Sequence, residues 1–480
     1  MIAVMDAEAT VVKSDTMVPA ELTEALKRGV HQLENVPDHK KDWHPGSNEM
    51  VLDLVHPSMC PLIYGVSRVL PSGTVPLKEC AESSGEGEII SKADEDDEPK
   101  HHQLELNGWG NTVNLPAWGS FQWLPADIEF GKNGKASITS YVNSLHPTRH
   151  AELYPVLEQF VDRAVPLWNE ALSWFHDRIR IKVDGSSDED YIIPEGLKYD
   201  GASDHSEGSD FWYDDDDYRD WKENNRVLTQ REPREFVPFG EHIKNQPDGA
   251  KPVDLCKKFA ESGLQVIFKL TNILLTPEKP EYQGGSWHVE GALNEHIAST
   301  ALYYYDQENI TDSYLSFRQA IDAEEMTMKP AQSEYSSLEM YYGVEQDGPA
   351  IQELGKVLTR EGRMLAFPNV LQHCVHNFRL KDETKPGHRK ILAMFLVDPH
   401  IKVLSTANVP PQQRDWWQEE VRKVAPFTEL PQEVFDEIIE CVDEFPLDYE
   451  EQCEVRQKLM DERGGLNDVL NEGMQSVSEL

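Results

Sequence analysis

The chain has no CxxC pair, no apolar run approaching the roughly 18 residues that cross a bilayer, and no basic leader ahead of a long apolar stretch. Its six cysteines, at 60, 80, 256, 374, 441 and 453, lie far apart. That spacing suggests neither a zinc knuckle nor a disulfide scaffold and reads as reduced thiols. Basic residues are few beside the acids: 45 Lys and Arg against 86 Asp and Glu leave a net charge of −41. This balance argues against non-specific contact with DNA, RNA or anionic membrane, and its ordinary use is solubility. The expectation is a soluble, cytoplasmic protein with no nucleic-acid or membrane partner; its oligomeric state is left open. No internal repeat is found. What is present is ample core material: 39% hydrophobic residues in 480, with 11 Trp, 16 Tyr and 16 Phe.

Composition divides the chain into four stretches that read as one integrated unit. Residues 1–118 form an N-terminal segment carrying an acidic loop at 81–104. Residues 119–259 read as mainly helical, with an acidic insertion at 184–225. Leu153, Val156, Leu157, Phe160, Val161, Ala164, Leu167 and Trp168 trace one apolar helical face there. The insertion contains DDDD, which lacks the alternation and glycine of a calcium loop. Its aromatics Phe211, Trp212, Tyr213, Tyr218 and Trp221 suggest that it is pinned to the surface. From 260 to 405 the pattern becomes short strand-like runs: LQVIFKLTNILL, GSWHVEG, IASTALYYY, RMLAFPNVLQHCV and RKILAMFLVD. Residues 406–480 return to helical periodicity.

The run GGSWHVEG sets His288 and Glu290 two residues apart. On a strand they share a face, about 6.5–7 Å apart along the chain, and an imidazole and a carboxylate can converge on one divalent cation. The pair alone is common, and a structural histidine is the usual outcome. Further along, His373 lies on a strand after a turn at Pro368-Asn369, and Arg389 opens the next apolar strand. The order HxE, His, Arg within short strands matches a jelly roll. Rival ligands fare worse. His296 is eight residues from His288, about 26 Å of extended chain. His376 and Cys374 point away from the face of His373, although a register shift at Phe-Pro-Asn would exchange His376 for His373. His388 and His400 read as surface or turn residues, and Cys374 as a buried free thiol. Trp287 has the opposite parity to His288 and should pack outside, whereas one or two of the rings of Tyr303, Tyr304 and Tyr305 should face inward. The motifs VHPSMCPLIYG and SYVNSLHP offer His56, Ser58, Tyr141, Asn143 and His146, either as pocket lining or, the favoured reading, as turn formers.

These residues resemble the Fe(II)/2-oxoglutarate oxygenase superfamily. Strings from VHPSMCPLIYG and FQWLPADIEF through TPEKPEYQGGSWHVEGALNEHIASTALYYYD, FPNVLQHCVHNF, TKPGHRKILAMFLVDPH and STANVPPQQR resemble, more closely, a fungal family catalogued as domain of unknown function 4246. The resemblance implies an α+β fold: a double-stranded β-helix (jelly-roll, cupin-like) core at 260–405 embedded in a mainly helical frame. It implies that His288, Glu290 and His373 bind Fe(II) and act as the catalytic centre, with 2-oxoglutarate and O2 as cosubstrates. Arg389 would hold the distal carboxylate of 2-oxoglutarate. Two departures stand out: Glu290 occupies a position where Asp is usual, and Arg389 follows His373 by 16 residues where about ten is typical of the superfamily. The implied reaction oxidises a C–H bond of a small-molecule substrate, an amino acid or natural-product intermediate. The family includes an oxygenase that closes an aziridine on L-valine on the route to 2-aminoisobutyrate. A protein hydroxylase or demethylase, or a metal-free interaction protein, are the alternatives on the same core.

Overall fold

The computed structural model describes residues 1–6, 9–92, 102–105, 112–115, 119–173, 190–199, 216–229, 241, 252–320, 335–346, 348–349, 351–442 and 445–476. Parts of the acidic loop (93–101) and of the acidic insertion (184–189 and 200–215, with Phe211, Trp212 and Tyr213) lie outside them. Within the insertion, Tyr218 and Trp221 pack on Tyr199 with ring centroids 5.3 and 5.6 Å away.

The strands that frame the site are β1 (Ile2–Asp6), β2 (Thr10–Ser14), β3 (Val51–Val55), β4 (Ala126–Phe130), β5 (Ala136–Ile138) and β6 (Leu264–Leu275). They continue with β7 (Ile297–Glu308), β8 (Ser313–Ala320), β9 (Ile351–Thr359), β10 (Met364–Pro368), β11 (Gln372–Val375) and β12 (Gly387–Val397). Three helices matter: α1 (Ala20–Glu34), α2 (Tyr154–Leu172) and α3 (Tyr449–Ser476). A nine-stranded antiparallel sheet runs β1-β2-β10-β7-β12-β6-β4-β5, with β3 also paired to β6. A second sheet runs β9-β8-β11.

Alternation along the long central strands splits the interior in two. Val266, Phe268 and Leu270 of β6, Ala301, Tyr303 and Tyr305 of β7, and Leu392, Met394 and Leu396 of β12 face α1 and α2 in one core. Ile267, Leu302, Tyr304, Ala393 and Phe395 face the opposite way, where they meet Leu315 and Phe317 of β8 and Val357 of β9. The second core is the space between the sheets. Of the three consecutive tyrosines, only Tyr304 enters it, as alternation requires.

Five of the nine strands come from before residue 260, so the sheet crosses the expected domain boundary there, and residues 119–259 contribute β4 and β5 besides helix. These strands are five residues or shorter, too brief to announce themselves by alternation. The edge strand β5 is covered by α2: Glu158 and Asp162 accept the Ile138 and Ala136 backbone N–H groups, both at 2.9 Å. Among the described residues no helix is long and apolar enough to cross a membrane.

Helix α2 seals the outer core, and Phe160, fully buried, meets the Tyr303 ring at 5.1 Å. Phe160→Ala is expected to lower unfolding free energy by about 3–5 kcal/mol in urea titration; a loss under about 1 kcal/mol would contradict this packing.

Candidate metal centre

The turn after β10 carries the chain from the large sheet to the small one, because β10 pairs with β7 whereas β11 pairs with β8. His373 follows on β11, opposite Phe317, and is almost wholly buried between the Phe317 and Phe367 rings. The HxE segment, expected as a strand, is extended but joins the ladder at one residue only. His288 N–H donates to the His373 carbonyl at 3.2 Å, and His373 N–H donates back at 3.0 Å. Glycines in the left-handed region limit it on both sides: Gly284 (φ 94°), where a Cβ would stand 2.7 Å from the Val375 carbonyl, and Gly291 (φ 75°).

This single pairing aims three side chains at one point. Glu290 Oε1 is 3.3 Å from His373 Nε2 and 3.9 Å from His288 Nε2, and the imidazole centroids are 4.3 Å apart. All three ligand atoms lie within 4.8 Å of one another. Asn369, in the turn, clasps the backbone of Glu290: its Oδ1 accepts the Glu290 N–H at 2.9 Å and its Nδ2 donates to the Glu290 carbonyl at 2.8 Å. His288 Nδ1 lies 2.8 Å from the Ser286 carbonyl, so it carries the proton and leaves the Nε2 lone pair facing Glu290. Burial alone would raise the Glu290 carboxyl pKa, but the His373 hydrogen bond, both imidazoles and Lys269 pull it down to about 2. Burial, reinforced by His373, lowers the His288 pKa. Both groups therefore stand in their metal-ligating forms at neutral pH.

A second cluster offers the same residue types. The ligand atoms of His44, Asp53 and His56 also lie within 4.8 Å of one another, beside a cleft of about 270 Å³ that Asp53, His56 and His146 help to line. The acceptors around its carboxylate are already committed. His56 Nδ1 accepts the Ser58 N–H at 3.2 Å, which leaves Nε2 protonated. Asp53 accepts His44 Nδ1 at 2.8 Å and the Thr271 hydroxyl at 3.0 Å, with the Arg456 guanidinium 4.0 Å away. It is a hydrogen-bonded buried carboxylate with a cation beside it, whereas the first cluster presents the free Nε2 lone pair of His288.

Arg389 lies on the inner face of β12, fully buried. Its Nη1 donates to the Ser313 and Thr359 hydroxyls, both at 2.8 Å, and its Cζ sits 4.2 Å from the centre of the Phe378 ring. Its Nε and Nη2 have no partner among the described residues, and burial lowers its pKa. The long interval from His373 holds a short strand, Phe378–Arg379, paired with Glu281–Tyr282, and a loop fastened by Asn309 to the Asp382, Lys385 and Pro386 carbonyls. The extra residues thus place Phe378 against the guanidinium. Ser313 and Phe317 share the inward face of β8, so Arg389 and His373 reach the same inter-sheet space.

The rival residues are engaged elsewhere. His376 Nε2 meets Ser316 Oγ at 2.5 Å, His388 Nε2 meets Asp306 at 3.0 Å, and His400 Nδ1 meets Asp398 at 2.8 Å. His296 ends a 3-10 turn in the left-handed region. Cys374 is half-buried rather than buried, with Sγ donating to the Gly285 carbonyl at 3.0 Å. Trp287 lies on the far side, under the Arg318 guanidinium at 4.5 Å. Tyr141 donates to the Val409 carbonyl, Asn143 to the Cys60 carbonyl, and Ser58 accepts the Trp123 indole N–H, all at 2.8 Å. His146 packs on Trp416. Asn369, Ser313, Thr359 and Lys269 were not singled out by sequence; the Asn following Pro368 was the one available signal.

Co(II) titration separates the two clusters. His288→Ala or His373→Ala should abolish high-affinity binding, and Asn369→Ala should weaken it about 10–100-fold. His44→Ala should bind as wild type; loss of binding there would move the centre to the second cluster.

A search of curated proteins finds no match. Among solved structures, the chain resembles the Fe(II)/(alpha)ketoglutarate-dependent dioxygenase TqaL at 15% identity and TM-score 0.19, over 30% of this chain and 48% of that one. A bsmA homolog from Methylobium petroleophilum PM1 matches at 13% identity and TM-score 0.19, over 30% and 46%. EvdO2 from Micromonospora carbonacea var. aurantiaca, complexed with 2-oxoglutarate, matches at 13% identity and TM-score 0.14, over 28% and 52%. The chain thus covers about half the length of each. The family model described as "Protein of unknown function (DUF4246)" matches residues 1–420, and the chain belongs to that family.

Proposed function

We propose that the protein is an Fe(II)/2-oxoglutarate-dependent oxygenase acting on a C–H bond of a small amino acid or natural-product intermediate. The observation that carries this reading is Arg389, a fully buried cation with two unpartnered N–H groups and no described carboxylate beside it. An unpaired buried charge costs several kcal/mol, and a planar carboxylate is the ligand that a guanidinium fork fits. His288, Glu290 and His373 supply two imidazoles and one carboxylate, the donor set of a non-haem iron site with open positions. When bound, iron and 2-oxoglutarate supply oxygen activation coupled to decarboxylation of the cosubstrate to succinate and CO2.

The chain's part is to hold and orient. Arg389, with Ser313 and Thr359 behind it, would anchor the distal carboxylate, and Phe378 and Tyr304 shield that end from water. Lys269 has the inward parity of Ile267 on β6 and is close enough to act electrostatically on both His288 and Glu290. Among the described residues it has no ion-pair partner, so it suits the carboxylate of an amino-acid substrate. On the resemblance of the quoted strings, the specific candidate is L-valine. Loss of one C3 hydrogen and one amine hydrogen closes the aziridine, with one 2-oxoglutarate and one O2 giving succinate, CO2 and water.

Anaerobic loading with Fe(II), then O2 and 2-oxoglutarate with and without a panel of amino acids, should yield succinate that rises with the true substrate. No succinate under any condition would end the proposal. Arg389→Ala should raise KM for 2-oxoglutarate at least 10²-fold, the scale of about 3–5 kcal/mol for stripping one partner from a buried charge pair. Lys269→Met should raise KM for the amino acid and leave that for 2-oxoglutarate unchanged; the reverse would assign Lys269 to the cosubstrate.

A further inference from the structure

Helix α3 lies beyond the stretch matched by the family model, yet its inward residues reach the metal-ligand segment. Arg456, Leu459, Arg463, Leu466 and Leu470 recur at intervals of three and four, which places them on one face. Arg456 pairs with Asp42, and Leu459 enters the inter-sheet core. Arg463 lies over the Trp123 ring and forms an ion pair with the fully buried Glu295, whose carboxylate also accepts the Trp123 and Ala292 N–H groups. Leu466 and Leu470 pack on Val289, Ala292 and Leu293. Val289 is the residue between the two ligands of the HxE pair, so the helix presses on the back of that segment.

Asn471 finishes the contact. Its Oδ1 accepts Arg318 Nη2 at 2.7 Å and Gln372 Nε2 at 3.1 Å, and its Nδ2 donates to the Trp287 carbonyl at 3.4 Å. Arg318 Nε also donates to Gln372 Oε1 at 2.8 Å. Trp287 and Gln372 are the chain neighbours of His288 and His373. One amide on α3 therefore ties together the two backbones that carry both histidines.

We infer that α3 is a clamp on the metal-ligand segment and that Asn471 is a positioning residue for His288 and His373, an inference that rests on the metal-centre reading above. The structural reason is the short pairing: between its two glycines the segment meets β11 through the His288–His373 rung and the Gly285 N–H donated to the Val375 carbonyl at 2.9 Å, and so brief a ladder needs an outside support to hold its side chains in convergence. Asn471 touches neither metal nor substrate and acts through Trp287, Gln372 and Arg318.

The test uses the full chain with Co(II) as probe and three variants: Asn471→Ala, Asn471→Asp, which keeps the acceptor for Arg318 and Gln372, and Glu472→Ala at an exposed neighbouring position. Asn471→Ala should weaken Co(II) binding about 10–100-fold, shift the visible ligand-field spectrum, and speed hydrogen exchange at the His288 and His373 amides. Asn471→Asp, which loses the donor to the Trp287 carbonyl, should fall between Asn471→Ala and wild type, Glu472→Ala should match wild type, and all three should keep the wild-type melting midpoint. Asn471→Ala with wild-type affinity, spectrum and exchange would overturn the inference. If wild type itself took up no Co(II), the metal-centre reading would fall. The exchange rates alone would then decide whether α3 holds the two strands together.

Discussion

The reciprocal hydrogen bonds between His288 and His373 are the constraint on which the rest of the site depends. They are the rung that joins the HxE pair to the small sheet, and they bring two imidazoles together, tilted by 51° with centroids 4.3 Å apart. Glu290 then falls on the same side because alternate residues of an extended chain do. Every nearby device preserves that rung: Asn369 holds the Glu290 backbone, two glycines turn the chain in and out, and α3 braces the outer face. A longer ladder would need none of this.

Charge is distributed against the average. The chain carries a net −41, yet its inter-sheet space holds Arg389 with two unpartnered donors and Lys269 with no ion-pair partner among the described residues. On the proposed function, the cations inside are placed for anions that enter. The same accounting separates the two histidine clusters. Around Asp53 each acceptor already has a donor, and the carboxylate is pushed below its ordinary range by His56 and His44 against the cost of burial. Around Glu290, His288 Nδ1 gives its proton to the Ser286 carbonyl and leaves Nε2 with an unshared pair.

Much of the site could be read from spacing because spacing decided it. Parity on a strand put His288 and Glu290 together, sent His376 and Cys374 away, and brought one of three tyrosines inward. The β7, β10, β11 and β12 runs stand where their alternation placed them, and α2 carries the apolar face traced by its leucines and aromatics. What the chain did not disclose was cross-strand. Nothing local marks Ser313 and Thr359 as the hydroxyls under Arg389, or Asn369 as the clasp on Glu290, since each lies at least 30 residues from its partner. The five short strands before residue 260 were invisible for a related reason. Two or three alternations are no pattern, and they form because a sheet edge offers them hydrogen bonds. Arg389 looked displaced by its 16-residue interval until Phe378 was seen packed on its guanidinium.

The account's central claim is that one buried guanidinium and one triad belong to a single site, built for a carboxylate and a divalent metal. An anaerobic crystal structure with Fe(II) and 2-oxoglutarate tests it most directly. The predicted result is a metal about 2.0–2.2 Å from His288 Nε2, Glu290 and His373 Nε2, the distances of imidazole and carboxylate ligation. The distal carboxylate of 2-oxoglutarate should lie on Nε and Nη2 of Arg389. Metal seated on His44, Asp53 and His56, or a carboxylate bound away from Arg389, would contradict it.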